Sequence, residues 1–185
     1  FTLMKFEDYN LDPKVLKGLN LLGFNRPTDI QFKSIPSILK GEDLLAIAQT
    51  GTGKTVAFVL PIIEKLYNKK QAERRKGGIK CIVLAPTHEL ALQIHEVVKS
   101  VSKFTTLKSH VIIGGVDQEP QIDALERGID IAIATPGRMF DLISQGFLRT
   151  SDVEILVLDE ADHMLNLGFI DDITDLIQVL HKRKR

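Results

Sequence analysis

The residues best suited to chemistry in this chain are Ala48, Gln49, Thr50, Gly51, Thr52, Gly53, Lys54 and Thr55. They lie between a short apolar run, Leu44 to Ile47, and a stretch with helical spacing, Val56 to Lys65, so the pattern predicts a strand-to-helix turn. Glycines in such a turn let backbone N–H groups face inward, and the helix adds the positive end of its dipole. The turn is therefore predicted to bind phosphate, with Lys54 reaching the β- and γ-phosphates of a nucleotide and Thr55 binding magnesium. The alternative is a glycine-rich surface turn, since the generic phosphate-loop pattern has glycine where this chain has Ala48.

Two carboxylates, Asp159 and Glu160, directly follow another apolar run, Ile155 to Leu158. If this run is a strand beside the phosphate-loop strand, Asp159 would hold magnesium opposite Thr55, directly or through water. Glu160 would then be placed to orient or deprotonate the water that attacks the γ-phosphate. The alternative is an acidic strand end followed by a helix cap.

A nucleobase contact is suggested by Phe24 and Gln31. Thr28 can cap a short helix that carries Gln31. The Gln31 amide has both a donor and an acceptor, which suits the edge of adenine, and the Phe24 ring can stack on the base. A capped helix after a proline turn, without a ligand, is the alternative.

The elements that must position these residues alternate between strand and helix. A first helix is signalled by Asp12 as its N-cap, Pro13 at its first position and Gly23 past its end. Apolar runs rich in Ile and Val predict buried parallel strands at Ile79–Ala85, His110–Ile113, Ile129–Ala134 and Ile155–Leu158. Helices are predicted at Thr87–Ser102, Gln118–Arg127, Gly137–Gln145 and Phe169–His181. This alternation predicts an α/β fold with a parallel sheet between helices on both faces, three layers in all, and with ligands at the carboxyl ends of the strands.

Composition narrows the class of protein. The 185 residues suit a single domain, 1–185. Lys plus Arg and Asp plus Glu number 24 each, so any nucleic-acid affinity must come from a local patch. The single cysteine, Cys81, cannot form an internal disulfide, and no apolar run is long enough to cross a membrane, which together predict a cytoplasmic protein. Met4 is typical of a natural start, so Phe1 to Leu3 are expected not to be native. The polar stretch Asn68 to Gly78 is predicted to be a loop or helix end that forms a solvated connection, with a nucleic-acid contact as the alternative.

Asp159-Glu160-Ala161-Asp162 spells the signature of the DEAD-box RNA helicases, and the chain resembles the N-terminal RecA-like domain of that family. Ala48 to Thr55 is similar to the family's own phosphate loop, and Gly23 to Gln31 resembles its adenine-reading Q motif, with Phe6 as the upstream aromatic. Three further stretches resemble family motifs: Pro86 to Ala91, Gly114-Gly115 and Thr135 to Arg138. The bacterial RhlE-like branch is the most similar one.

The resemblance implies roles for individual residues. Phe24 and Gln31 would hold adenine, the loop Ala48–Thr55 the rest of ATP, and Thr55 with Asp159 the magnesium ion. Lys54, Asp159 and Glu160 would be the catalytic residues. The backbone of one RNA strand, single-stranded or locally duplex, would contact Pro86, Thr87, Gly115, Thr135, Gly137 and Arg138. His88 stands where the family usually has arginine, so weaker RNA binding by that segment is expected.

The resemblance also implies a second RecA-like domain in the same polypeptide, which this chain lacks and which would supply arginine fingers. The 185 residues alone are therefore expected to bind ATP but to hydrolyse it barely. The predicted function is that of the ATP-binding domain of an RNA helicase, in which RNA-stimulated ATP hydrolysis drives local unwinding. Two alternatives remain open: an ATP-gated RNA clamp or assembly scaffold, and a generic phosphate-loop kinase or switch.

Overall fold

The computed structural model of the chain describes residues 4–49, 51–73 and 78–182. Predictions that concern Phe1 to Leu3, Thr50, residues 74–77 and residues 183–185 lie outside this part. The chain divides into two units. The N-terminal unit comprises Phe1–Arg75 and Glu96–Leu107, and the sheet unit comprises Lys76–His95 and Lys108–Arg185.

Helices and strands alternate through most of the described chain. The helices are α1 (Pro13–Asn20), α2 (Asp29–Lys40), α3 (Lys54–Glu73), α4 (His88–Ser102), α5 (Glu119–Arg127), α6 (Pro136–Ser144), α7 (Ala161–Asn166) and α8 (Ile170–Lys182). The strands are β1 (Cys81–Leu84), β2 (Ser109–Ile112), β3 (Ile131–Ala134) and β4 (Ile155–Leu158). All four lie within one residue of the predicted apolar runs or inside them.

The sheet unit is built on a parallel sheet with the strand order β2-β3-β1-β4. Leu84 at the end of β1 lies opposite Ala134 of β3 and Leu158 of β4, and Ala134 lies opposite Ile112 of β2. The four strands therefore end together, and the loops that follow them leave from one edge of the sheet. The predicted parallel sheet is confirmed.

Both faces of the sheet's centre are buried. Ile82, Leu84, Ala132 and Ala134 belong to one apolar cluster with side chains of α5, α6, α7 and α8. Residues whose side chains point to the opposite face are equally buried, namely Cys81, Val83, Ile131 and Ile133. The predicted layering is thus confirmed. The prediction that all strands are buried is wrong for β4, which is half-buried throughout, and for the first two residues of β2. Both are edge strands of the described sheet, so each pairs with one neighbour alone.

The N-terminal unit is helical, and α2 packs along α3. The Asp12 side chain accepts a hydrogen bond of 2.8 Å from the Lys14 N–H, which confirms the predicted cap of α1. The buried carboxylate of Glu64 on α3 accepts a bond of 2.9 Å from the Asp12 N–H, so the start of α1 is tied to the middle of α3.

One sequence prediction in the N-terminal unit is wrong. Leu44 to Ile47 form no strand, and the side chains of Leu45 and Ile47 are 87% and 91% exposed. An apolar run indicates a strand only where a neighbouring strand is available to pair with it, and the described sheet takes all its strands from the sheet unit. The prediction of a polar loop or helix end from Asn68 onward agrees with α3, which continues to Glu73.

Candidate functional site

The phosphate loop has the predicted backbone form. Gly51 and Gly53 adopt φ of +79° and +86°, values that favour glycine, and α3 begins at Lys54 directly after the loop. The Thr52 hydroxyl donates a hydrogen bond of 2.8 Å to the Gln49 carbonyl, which closes the turn. The free N–H groups of the first turn of α3 thus point toward the loop, an arrangement that fits bound phosphate.

Gln31 lies beneath this loop and is fully buried. Its Nε2 donates to the Gly53 carbonyl at 3.1 Å, and its Oε1 accepts from the Thr28 N–H at 3.0 Å. The Thr28 hydroxyl donates to the Thr52 carbonyl at 2.9 Å. A Cβ on Gly53 would lie 2.5 Å from Gln31 Nε2, so glycine is required there by close approach as well as by its φ. Two residues predicted to cap a helix and read adenine therefore also hold the phosphate loop.

The aromatic residues near this region differ in exposure. The Phe24 ring is half-buried. Phe6 is buried, and its ring centroid lies 6.4 Å from that of Tyr9. Phe24 therefore keeps exposed ring surface for a base, whereas Phe6 is part of the core of the N-terminal unit.

The residues predicted to bind RNA are brought together at the carboxyl edge of the sheet. One group follows each of three strands, and the acidic pair follows the fourth: Pro86 and Thr87 after β1, Gly115 after β2, Thr135, Gly137 and Arg138 after β3, and Asp159 and Glu160 after β4. Thr87 and Thr135 each precede a helix directly, and the Thr87 hydroxyl accepts a hydrogen bond of 3.2 Å from the Leu90 N–H. The N-termini of α4 and α6 therefore lie at this edge.

The loop after β2, residues 113–117, is contacted from three directions. Gln121 of α5 binds both backbone groups of Ile113, accepting from its N–H at 3.1 Å and donating to its carbonyl at 3.0 Å. Arg138 Nη2 donates to the Val116 carbonyl at 3.0 Å. The His88 ring of α4 also lies close to the loop, since a Cβ on Gly115 would be 3.4 Å from its Cε1. Gly115 itself has φ of +71°.

Arg138 is only partly available as a cation. Its Nη2 is bound to Val116, and its Nη1 is buried without a hydrogen-bond partner among the described residues. A buried guanidinium nitrogen without an acceptor is costly, and because this one has no exposed surface, a ligand atom reaches it only if its neighbours move. The structure thus gives Arg138 a role in holding the loop beside its predicted role in binding RNA.

The acidic pair after β4 includes a strained backbone position. Glu160 adopts φ +50° and ψ +50°, in the left-handed region, and its N–H donates to Asp159 Oδ1 at 3.1 Å. A non-glycine residue in this region costs about 1–2 kcal/mol. The Glu160 carboxylate is 34% exposed and lies 3.7 Å from His163 Nδ1. Backbone strain of this kind is common at functional positions. The left-handed conformation also turns the Glu160 side chain away from the direction that it would have in a strand.

The chemistry of the donors fits magnesium, although the described residues contain no cluster of three or more His, Cys, Asp or Glu that could bind a metal by itself. Magnesium in nucleotide sites commonly takes one or two protein oxygens and completes its shell with phosphate and water. One carboxylate, Asp159, and one hydroxyl, Thr55, are such a set. They belong to different units, and the neighbouring strand that was expected to connect them is not formed, so their shared magnesium stays a prediction.

Sequence reasoning missed Gln121. It lies on the apolar stripe of α5 with Ile122 and Ala124, and all three are buried. A polar residue at a position where the helical pattern requires an apolar one is the available signal, because a buried amide must find hydrogen-bond partners.

None of the helices among the described residues has the length and apolar character needed to cross a membrane.

Comparison with known proteins gives consistent results. Residues 28–185 match the DEAD/DEAH box helicase family. The chain is 42% identical over 176 residues to the ATP-dependent RNA helicase CshA of Listeria monocytogenes, covering 95% of this chain and 33% of that protein. It is 39% identical over 179 residues to the ATP-dependent RNA helicase eIF4A of Neurospora crassa, covering 97% of this chain and 44% of that protein. The chain therefore spans less than half the length of these relatives.

A solved structure agrees with the fold. The crystal structure of a DEAD box protein from the hyperthermophile Methanococcus jannaschii superimposes with a TM-score of 0.87 at 40% identity, over 98% of this chain and 48% of that one. The placement in the RhlE-like branch is not tested by these relatives and stays a prediction.

Proposed function

The chain belongs to the DEAD/DEAH box helicase family, and we propose that it is the ATP-binding domain of an ATP-dependent RNA helicase. The observation that most supports this is the edge of the sheet, where a loop, two helix starts and the acidic pair Asp159 and Glu160 follow four parallel strands that end together. Backbone N–H groups at such an edge bind phosphate without reading bases. An edge of this kind suits an enzyme that acts on RNA of many sequences.

ATP binding is assigned to the N-terminal unit. The loop Ala48 to Thr55 would surround the phosphates with N–H groups, and Lys54 would bind the β- and γ-phosphates. Gln31 keeps one donor and one acceptor beyond the bonds it makes to Gly53 and Thr28. They would suit the adenine edge once the loop above the buried Gln31 moves to expose them, and Phe24 would cover the base. ATP contributes the γ-phosphoryl group that is transferred to water.

Hydrolysis is assigned to Lys54, Asp159 and Glu160. Asp159 and Thr55 would hold magnesium, partly through water, and magnesium would neutralise charge on the phosphates. Glu160, in its left-handed conformation, would hold the attacking water by a hydrogen bond and accept its proton. The isolated domain would hydrolyse ATP barely, because an arginine finger contributes about 10³–10⁵ in rate.

The rest of the catalytic groups are assigned to a second RecA-like domain of the same polypeptide, with residues 1–185 forming the first. The greater length of the relatives supports this assignment. RNA would be bound along the sheet edge by Pro86, Thr87, Gly115, Thr135, Gly137 and Arg138. We also assign the protein to the cytoplasm, where its single, buried Cys81 would stay reduced.

Strand displacement by the full-length protein tests this function. A labelled short RNA duplex is mixed with the protein and ATP, and release of the labelled strand is followed on a native gel. The proposal predicts release with ATP, little release with ADP, and none from a Lys54→Ala variant. Retention of RNA that depends on ATP but causes no release would contradict unwinding and favour an ATP-gated clamp.

A further inference from the structure

In the loop 113–117, several carbonyl groups accept hydrogen bonds from the protein, whereas several N–H groups do not donate to it. The carbonyl oxygens of Ile113, Val116 and Asp117 all accept hydrogen bonds from side chains, at 3.0, 3.0 and 3.3 Å. Within the part of the chain that the structure describes, the N–H groups of Gly114, Gly115 and Val116 donate to no acceptor. Three carbonyl oxygens of the loop are thus held by the protein, and three consecutive N–H groups are left available to an anion.

Gln121 contributes most to this division. Two of the three bound carbonyls, those of Ile113 and Asp117, accept from its Nε2, while its Oε1 occupies the Ile113 N–H. The last ladder residue of β2 is Ile112, so Gln121 takes the place that a neighbouring strand's backbone would have at the next residue. A side chain therefore determines how the chain leaves the sheet at this point.

The burial of Gln121 determines how costly the loss of its hydrogen bonds would be. Gln121 is 4% exposed, so an unbonded amide there would be costly. An apolar side chain of the same length would fill the space equally well, but it would leave the carbonyls of Ile113 and Asp117 without a donor. These carbonyls would then turn toward water, on the side where a phosphate would bind.

We propose that Gln121 is a positioning residue of the RNA interface, one that holds the loop 113–117 with its N–H groups directed at an RNA phosphate. The inference rests on the proposed function, since it names the residue that shapes one of its RNA contacts. Gln121 does not touch RNA itself. It holds the loop by its hydrogen bonds to the Ile113 and Asp117 carbonyls. Arg138 helps to hold the loop by its hydrogen bond to the Val116 carbonyl.

The test is RNA binding by the full-length protein carrying Gln121→Met. Anisotropy of a labelled single-stranded oligouridylate is measured with a non-hydrolysable ATP analogue over a range of salt concentrations. We expect RNA affinity to fall about tenfold. This factor corresponds to the net free energy of about one hydrogen bond, lost because the loop is no longer held in its binding conformation. The slope of log K against log salt should stay that of the wild type, because the loop's N–H groups are uncharged and the slope counts only phosphates neutralised by Lys or Arg. A purely structural role would instead lower the affinity for a nucleotide together with the affinity for RNA.

Controls separate this role from general stability. Asp123→Ala changes an exposed residue on the same helix and should leave RNA affinity, salt slope and melting temperature unchanged. Binding of a fluorescent ADP analogue should be the same in Gln121→Met as in the wild type. Loss of ADP and RNA binding together, with a lowered melting temperature, would overturn the proposal in favour of a structural role.

A second variant keeps the test valid if Gln121→Met folds poorly. Gly115→Ala places a Cβ on an exposed residue with φ of +71°, so it distorts the same loop without entering the core. RNA affinity should fall, and the melting temperature should drop by only a few degrees, because the left-handed φ costs alanine about 1–2 kcal/mol. If Gly115→Ala weakens RNA binding while well-folded Gln121→Met does not, Gln121 has no positioning role and the proposed function stands. If the wild type itself does not bind RNA, the proposed function fails, and the role of Gln121 fails with it.

Discussion

Gln31 Nε2 donates a hydrogen bond of 3.1 Å to the carbonyl oxygen of Gly53, so the side chain proposed to read adenine also holds the loop proposed to bind phosphate. Both ends of the amide are in use, since Oε1 accepts from Thr28. The proposed base site and the proposed phosphate site are therefore linked through a single fully buried residue.

This link predicts the behaviour of Gln31→Ala. The substitution should weaken ADP binding about tenfold, because it removes the bond to Gly53 and the contact with the base. It should also weaken GDP binding, although GDP carries no adenine, because the phosphate loop loses its support. Titration calorimetry with both nucleotides measures the two effects, and Gln93→Ala on the exposed face of α4 is the control. Unchanged GDP affinity would mean that Gln31 acts on the base alone.

His88→Arg should tighten RNA binding. The exposed His88 ring lies against Gly114 and Gly115, and arginine at this position would add a permanent charge beside the loop. The slope of log K against log salt should steepen by about 0.7. Gln93→Arg places the same charge further along α4 and should change the slope less. Equal slopes for His88→Arg and the wild type would rule out a phosphate contact at this position.

Gly18→Ala should destabilise the N-terminal unit. An added Cβ would lie 2.2 Å from the Val101 carbonyl oxygen, so α1 must move away from the end of α4. Alanine in an open helix would instead stabilise it by about 1 kcal/mol relative to glycine. We expect a loss of about 1–3 kcal/mol in the free energy of unfolding, measured by urea denaturation. Asn20→Ala, on the exposed side of α1, is the matched control, and a gain in stability for Gly18→Ala would contradict the close packing.

The thiol of Cys81 should not react in the folded protein. Burial raises the pKa of this thiol to about 12, and the residue has no exposed surface, so the reactive thiolate is scarce and out of reach. Because the chain has one cysteine, the mass added by iodoacetamide reports on this position alone. Labelling should require urea, and rapid labelling in native buffer would show that β1 opens.

Much of the sheet unit follows from the sequence. The runs that became β1, β2, β3 and β4 are apolar, short and bounded by helical segments, and the rule that parallel strands end at one edge places Asp159 with Thr135 and Thr87. The caps formed by Asp12 and Thr28 follow from local chemistry, since their partners are within three residues.

Other features depend on distant partners and could not be predicted. The apolar run from Leu44 to Ile47 has the composition of a strand, but composition does not specify whether a neighbour is available to pair with it. Gln121 bonds to Ile113, eight residues earlier, through a loop whose path no local pattern describes. The bond from Gln31 to Gly53 spans 22 residues, so the link between the proposed base and phosphate sites was visible only in the structure.

ATP hydrolysis by the full-length protein, with and without single-stranded RNA and beside a Glu160→Gln variant, tests the central proposal most directly. DNA of matched length is the control for RNA. We predict that RNA alone raises the rate of the wild type and that Glu160→Gln abolishes turnover while ATP still binds, because an amide has the size of the carboxylate but cannot accept the proton. A hydrolysis rate that RNA does not change, or ATP hydrolysis by the Glu160→Gln variant, would contradict the assignment of this chain to an RNA-dependent ATPase.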